Sequence, residues 1–140
     1  MLKLILNKKY NPLFSSDARY FIITGGRGSG KSFAVTVFLT LLTMTKGIRI
    51  LFTRYTMTSA HLSIIPEFLE KIGLLGFDEV FSINKAEVVN TSNQSDILFR
   101  GIRTSAGNQT ASLKSLQGIS TWVLDEAEEL VDENIFDTCL

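Results

Sequence analysis

Gly25-Gly26-Arg27-Gly28-Ser29-Gly30-Lys31-Ser32 is the stretch of this 140-residue sequence that decides the fold. Its spacing is G-x-x-x-x-G-K-S, in which glycines let the backbone turn successive N–H groups toward one anion. A strand-like run, Tyr20-Phe21-Ile22-Ile23-Thr24, precedes it, and apolar residues at helical spacing follow from Lys31 to about Thr45. Pattern and context together predict a phosphate-binding loop of the Walker A type. The alternative is a glycine-rich turn that matches by chance.

The residue types of the loop predict ATP with Mg²⁺ as the ligand. The whole stretch would surround the phosphates, with Lys31 between the β- and γ-phosphates and the Ser32 hydroxyl on Mg²⁺. The sequence allows two roles for Arg27. It reaches the γ-phosphate and stabilises the charge that develops there, or it is a solvent-exposed or ion-paired arginine.

A second candidate site lies where an apolar run, Thr121-Trp122-Val123-Leu124, ends in Asp125-Glu126. An apolar strand that ends in two acids is a Walker B pattern. On a strand beside that of the phosphate loop, Asp125 would reach the magnesium shell and Glu126 would polarise the attacking water. The alternative is a pair of solvated acids at the end of a strand. Arg54, after another strand-like run, is a phosphate or subunit sensor or, more simply, one half of a surface ion pair.

The remaining pattern predicts an α/β fold: a P-loop NTPase with a mainly parallel sheet flanked by helices. Residues 48–53 would form a strand, in a right-handed βαβ unit with residues 20–24. Residues 58–75 would be helical, with Pro66 kinking or restarting the helix. The runs 80–83, 87–90 and 96–100 predict an antiparallel meander inserted before the acidic strand, and a short helix is expected near residues 112–116.

Composition sets limits on function. Acidic and basic residues balance at 14 each, so net charge gives no reason to propose a nucleic-acid or anionic-membrane surface. The single cysteine cannot form an internal disulfide. The most apolar stretch, residues 33–44, is shorter than the roughly 20 residues of a membrane span, so no membrane partner is expected.

Taken together and in order, these motifs resemble the phage terminase large subunit, the ATPase of a DNA-packaging motor. The likeness covers most of residues 20–130 and is carried by four stretches. The first is the phosphate loop with its strand and its arginine, and the second is Leu51-Phe52-Thr53-Arg54. The third combines Ile97-Leu98-Phe99-Arg100-Gly101 with Leu113-Lys114-Ser115-Leu116-Gln117-Gly118, and the fourth is Thr121-Trp122-Val123-Leu124-Asp125-Glu126-Ala127-Glu128-Glu129-Leu130.

The resemblance implies an Mg²⁺-dependent ATPase in which Glu126, Lys31 and Arg27 carry the catalysis and Ser32 and Asp125 hold the metal. It implies double-stranded DNA as the cargo, a portal and a small terminase subunit as partners, and a homo-oligomeric ring. It places the protein in the cytoplasm of an infected bacterial host. The family's nuclease domain matches nothing in these 140 residues, so the chain is expected to be part of the ATPase domain.

Two other functions remain open from the residues alone. A P-loop phosphotransferase would use the same loop but would pass phosphate to a small acceptor without any dependence on DNA. A nucleotide-binding fragment would hold ATP without activity of its own.

Overall fold

A computed structural model describes residues 4–57, 60–84, 86–104, 107–108 and 116–130 of the chain. They form a mixed sheet with two long helices. The elements in chain order are α1 (Pro12–Ser15), α2 (Lys31–Leu42), β1 (Arg49–Thr56), α3 (Ala60–Leu74), β2 (Phe81–Ile83), β3 (Glu87–Asn90), β4 (Asp96–Thr104), β5 (Gly107–Asn108) and β6 (Thr121–Leu124). No helix in these ranges is long and apolar enough to cross a membrane.

The strand order is β2-β3-β4-β1-β6, with β5 paired to β4. β1 lies at the centre of the parallel part and pairs in parallel with both β4 and β6. β2, β3 and β4 pair antiparallel in sequence order, so the predicted meander is confirmed. The sheet is therefore mixed, because two of its pairings are parallel and three are antiparallel.

The core lies between one face of this sheet and the two long helices. Phe68 of α3 packs against Phe52 of β1 and Phe99 of β4, with ring centroids 5.9 and 5.3 Å away. Leu39 of α2 joins the same buried cluster. β1 is buried on both faces from Ile50 to Thr53, which is typical of a central parallel strand.

Both helices differ in detail from the sequence prediction. α2 ends at Leu42 rather than Thr45, because its last turn tightens into bonds from residues 44 and 45 to carbonyls three residues earlier. α3 continues through Pro66, so the prediction of a restart is wrong. Packing explains the continuity: Ile65 and Phe68 are buried on either side of the proline and hold both halves of the helix against the sheet.

The prediction of a buried strand at Tyr20-Phe21-Ile22-Ile23-Thr24 is also wrong. These residues are irregular and pair with no strand of the described chain, and Tyr20 and Ile22 are 73% and 93% exposed. The composition is that of a strand, but a strand needs ladder partners, and residues 20–24 do not join the sheet of the described chain, in which β6 is the edge strand beside β1. The predicted βαβ unit through α2 is therefore not formed. Residues 112–115 of the helix predicted before β6 lie outside the described residues.

Candidate functional site

The glycine-rich loop has the backbone conformation that its sequence predicts. Gly25, Gly28 and Gly30 have φ values of +152°, +76° and +79°. Residues with a Cβ rarely adopt such φ values. A Cβ on Gly25 would also lie 2.9 Å from the Ser29 hydroxyl oxygen. Glycine at position 25 is therefore required both by backbone angle and by space.

The loop presents free hydrogen-bond donors at the start of α2. Within the described chain, the backbone N–H groups of Gly28, Gly30, Lys31 and Ser32 donate to no protein acceptor. The hydroxyl oxygen of Ser29 is buried and likewise has no partner among those residues. A buried donor without an acceptor, such as this hydroxyl, is costly unless a ligand or water satisfies it, whereas Gly28, Gly30 and Ser32 are exposed and their N–H groups are open to solvent and ligand alike. This donor set, at the positive end of a helix dipole, fits an anion such as a phosphate group.

Two basic side chains of the loop add positive charge. The Lys31 ammonium donates to the carbonyl oxygens of Gly25 and Gly26, so the lysine folds back across its own loop. Arg27 is exposed and makes no ion pair with any described residue. Its guanidinium is therefore available to a ligand, as the sequence allowed.

The acidic strand end forms a second group of charged residues. The parallel register places Thr53 beside Leu124, so that β6 ends next to the middle of β1, which continues to Thr56. Arg54 then follows β1's buried stretch and contacts Asp125: its Nε lies 2.7 Å and its Nη2 2.6 Å from Oδ2. The same Nη2 lies 3.8 Å from Glu126 Oε1. The simpler interpretation of Arg54, an ion pair, is confirmed. Its partners are Asp125, the predicted metal ligand, and Glu126, the predicted catalytic acid.

Glu126 has an unusual backbone and an unusual pKa. Its φ and ψ are +52° and +49°, a left-handed conformation that costs a non-glycine residue on the order of 1 kcal/mol or more. Burial raises the pKa of its carboxyl above the ordinary value, the Arg54 guanidinium opposes that shift, and Asp125 and Glu129 add to it. Strain combined with a raised pKa is frequent where a carboxylate acts as a proton acceptor.

A buried hydroxyl fixes the strand that carries these acids. Thr53 is fully buried, donates its Oγ1 proton to the Val123 carbonyl at 2.8 Å and accepts from Trp122 Nε1 at 2.9 Å. Its own carbonyl accepts from the Asp125 N–H at 2.9 Å. The sequence placed Trp122 and Thr53 in strand-like runs but gave no signal that their side chains meet, because a threonine inside a strand is ordinary.

The predicted site residues thus lie in two separate groups. Residues 25–32 are brought together in one loop, and Asp125 and Glu126 are brought together with Arg54. No hydrogen bond or ion pair among the described residues joins the loop to the acids. The structure also adds Tyr10, whose hydroxyl donates to the Ser29 carbonyl at 2.8 Å and which the sequence did not indicate, since 19 residues separate the two.

Comparison with known proteins identifies the family of this chain. The terminase large subunit of Bacillus phage SPP1 is 24% identical to this chain over an alignment 150 positions long, which covers 96% of this chain and 34% of that protein. The chain therefore spans about a third of the length of this curated relative. A model of the phage terminase large subunit family matches residues 17–140, which include both the loop and the acidic strand end. The chain belongs to the phage terminase large subunit family.

Proposed function

We propose that this chain binds ATP through residues 25–32 and that the full-length protein hydrolyses it, with Mg²⁺, to package double-stranded viral DNA into procapsids. The observation that carries the proposal is the loop itself. Three glycines with positive φ lead into the first turn of α2 and leave several N–H groups and the Ser29 hydroxyl without a protein acceptor. These features favour a multiply charged anion over a neutral ligand.

The basic residues of the loop would hold the phosphates. Lys31 would exchange its contacts with the loop carbonyls for phosphate oxygens, which are stronger acceptors because they are charged. Arg27 would stabilise negative charge on the γ-phosphate. Ser32, at the second position of α2, would offer its hydroxyl to Mg²⁺, with Asp125 acting on the metal through a water. Mg²⁺, when bound, would neutralise charge on the phosphates.

Glu126 would act on the attacking water. A carboxylate with a raised pKa is a better proton acceptor than an ordinary glutamate, provided that it remains ionised at the working pH. Asp125 and Glu126 share one arginine, so any group that draws Arg54 away also changes the charge around the proton acceptor. An acid placed for water activation favours hydrolysis over transfer to a small acceptor, since a kinase must exclude water.

The partners and the setting follow from the family. We propose double-stranded DNA as the cargo, a portal and a small terminase subunit as partners, and a homo-oligomeric ring working in the cytoplasm of an infected bacterium. Within that assembly, residues 1–140 would belong to the P-loop ATPase domain.

Phosphate release separates this function from the two alternatives. With ATP, Mg²⁺ and double-stranded DNA, we expect the full-length protein to release inorganic phosphate. The Glu126→Gln variant should bind ATP but release phosphate roughly 100-fold more slowly. The Lys31→Ala variant should bind ATP at least about tenfold more weakly and should release little phosphate. A phosphotransferase would instead label a small acceptor whether or not DNA is present. A chain that only binds nucleotide would release no phosphate, whether as the wild type or as either variant. Normal hydrolysis by Glu126→Gln would show that Glu126 is not the proton acceptor.

A further inference from the structure

We propose that Tyr10 is a positioning residue for the phosphate loop, which it orients by holding the carbonyl group of Ser29; the inference rests on the proposed function of that loop. Tyr10 is 5% exposed, although residues 4–9 and 11–24 around it are exposed or half-buried throughout. Its hydroxyl donates to the Ser29 carbonyl oxygen at 2.8 Å, and its ring lies 3.9 Å from where a Cβ on Gly30 would be. The side chain therefore supports the loop from one side.

Because the peptide bond is planar, the contact of Tyr10 with the Ser29 carbonyl also fixes the direction of the Gly30 N–H. In a trans peptide, the carbonyl of one residue and the N–H of the next point in opposite directions. Because the Ser29 carbonyl points at Tyr10, the Gly30 N–H points away from it, and this N–H has no acceptor among the described residues. The carbonyl of Gly30 accepts from the Ala34 N–H, but no backbone hydrogen bond among the described residues holds the Ser29–Gly30 peptide, and a glycine with φ = +79° leaves this peptide easy to rotate. The phenol of Tyr10 supplies that restraint and aims the N–H at the bound phosphate.

The segment that carries Tyr10 is itself fixed to α2. A short 3-10 turn, Lys8–Tyr10, is closed by the Asn7 side chain, which accepts from the Lys9 N–H at 3.2 Å. Four residues beyond Tyr10, the ring of Phe14 packs edge-on against Phe38 of α2, with centroids 5.3 Å apart. The hydroxyl is thereby held relative to the same helix that begins at the loop. A rigid support of this kind preserves the loop geometry before the nucleotide arrives, which lowers the cost of binding.

The test compares hydroxyl removal at two tyrosines in the full-length protein. Tyr10→Phe keeps the ring and removes only the bond to Ser29, and Tyr20→Phe, at a position 73% exposed, is the matched control. Affinities are measured with a fluorescent ATP analogue and with inorganic triphosphate as competitor. We expect Tyr10→Phe to weaken both by the same factor of about 3 to 10, the range for one hydrogen bond, with Tyr20→Phe unchanged. A purely structural role would lower the unfolding temperature and leave both affinities as they were.

The outcomes separate this inference from the proposed function. If the wild type binds the analogue, Lys31→Ala binds it at least about tenfold more weakly and Tyr10→Phe binds as the wild type does, the proposed function stands and the role of Tyr10 is refuted. If the wild type binds no nucleotide, the proposed function itself fails. A second measurement needs no variant: addition of triphosphate to the wild type should shift the Gly30 amide proton in the NMR spectrum. An unmoved Gly30 signal, while the Lys31 amide shifts, would overturn the inference.

Discussion

Replacement of Thr53 by valine tests how the acidic strand end is held in place. Valine has nearly the same shape as threonine, so Thr53→Val removes the hydroxyl and leaves the packing of β1 intact. The lost hydroxyl takes with it two hydrogen bonds, the donation to Val123 at 2.8 Å and the bond from Trp122 Nε1 at 2.9 Å. Both join β1 to β6 at the point where Arg54 and Asp125 meet.

The expected loss follows from these two bonds. Each buried neutral hydrogen bond contributes about 1 kcal/mol, and polar groups that lose a partner in a buried site add to the cost. We therefore expect Thr53→Val to lower the free energy of unfolding by about 2–3 kcal/mol. For a domain of this size that loss corresponds to a fall of roughly 6–12 °C in the unfolding temperature.

Urea unfolding of the 140-residue chain measures this loss. The fluorescence of Trp122, the single tryptophan in the chain, and the circular dichroism of the backbone should report the same lower midpoint with an unchanged slope. Thr56→Val is the control, because Thr56 is the exposed last residue of β1 and its replacement should change stability by less than about 0.5 kcal/mol. Equal losses in the two variants, or a loss below 0.5 kcal/mol for Thr53→Val, would refute the reasoning.

Three further predictions concern the loop, the end of α2 and the charged pair. Gly25→Ala should lower stability by about 1–3 kcal/mol, because its Cβ would meet the serine hydroxyl and its φ is positive, whereas Gly26→Ala, with open space around it, should be nearly neutral in the same thermal unfolding assay. Asn90→Asp should lower stability by about 3 kcal/mol at pH 7. The buried amide of Asn90 donates to a carbonyl in the last turn of α2 at 3.1 Å, and the substitution would place a carboxylate against that carbonyl. Stability should recover as the pH falls and the carboxyl is protonated, and a loss that does not depend on pH would contradict this prediction. In the metal-free protein, Arg54→Gln should raise the pKa of Glu126 further, since the guanidinium lowers it, while Arg54→Lys should raise it less; carbon NMR of the carboxyl checks the order.

Local patterns predicted the elements whose partners are close in sequence. The meander formed as expected because alternating residues and the polar turn at residues 91–95 act between neighbouring strands. The loop conformation followed from its glycines. Residues 20–24 have the same strand-like composition, but whether a strand forms depends on what lies beside it, and composition carries no such information.

Contacts between residues far apart in the chain could not be predicted from the sequence for the same reason. Nothing in the run that ends at Arg54 indicates that Asp125 is its partner, 71 residues away, because that contact depends on which strand lies next to β1. The contact of Tyr10 with the loop is a similar case. The sequence predicted an ion pair for Arg54 and gave no role to Tyr10, and in both cases the topology determines what the side chain touches.

The measurement that tests the central claim most directly is nucleotide binding by the full-length protein and its Lys31→Ala variant, with and without Mg²⁺. Charge-assisted hydrogen bonds to phosphate contribute roughly 1.5–3 kcal/mol, so the loss of the Lys31 ammonium should weaken ATP binding at least tenfold. We predict saturable binding by the wild type that Mg²⁺ strengthens, and binding by Lys31→Ala that is at least ten times weaker although the protein unfolds at the wild-type temperature. Equal affinities for the two proteins would contradict the assignment of residues 25–32 as the phosphate loop.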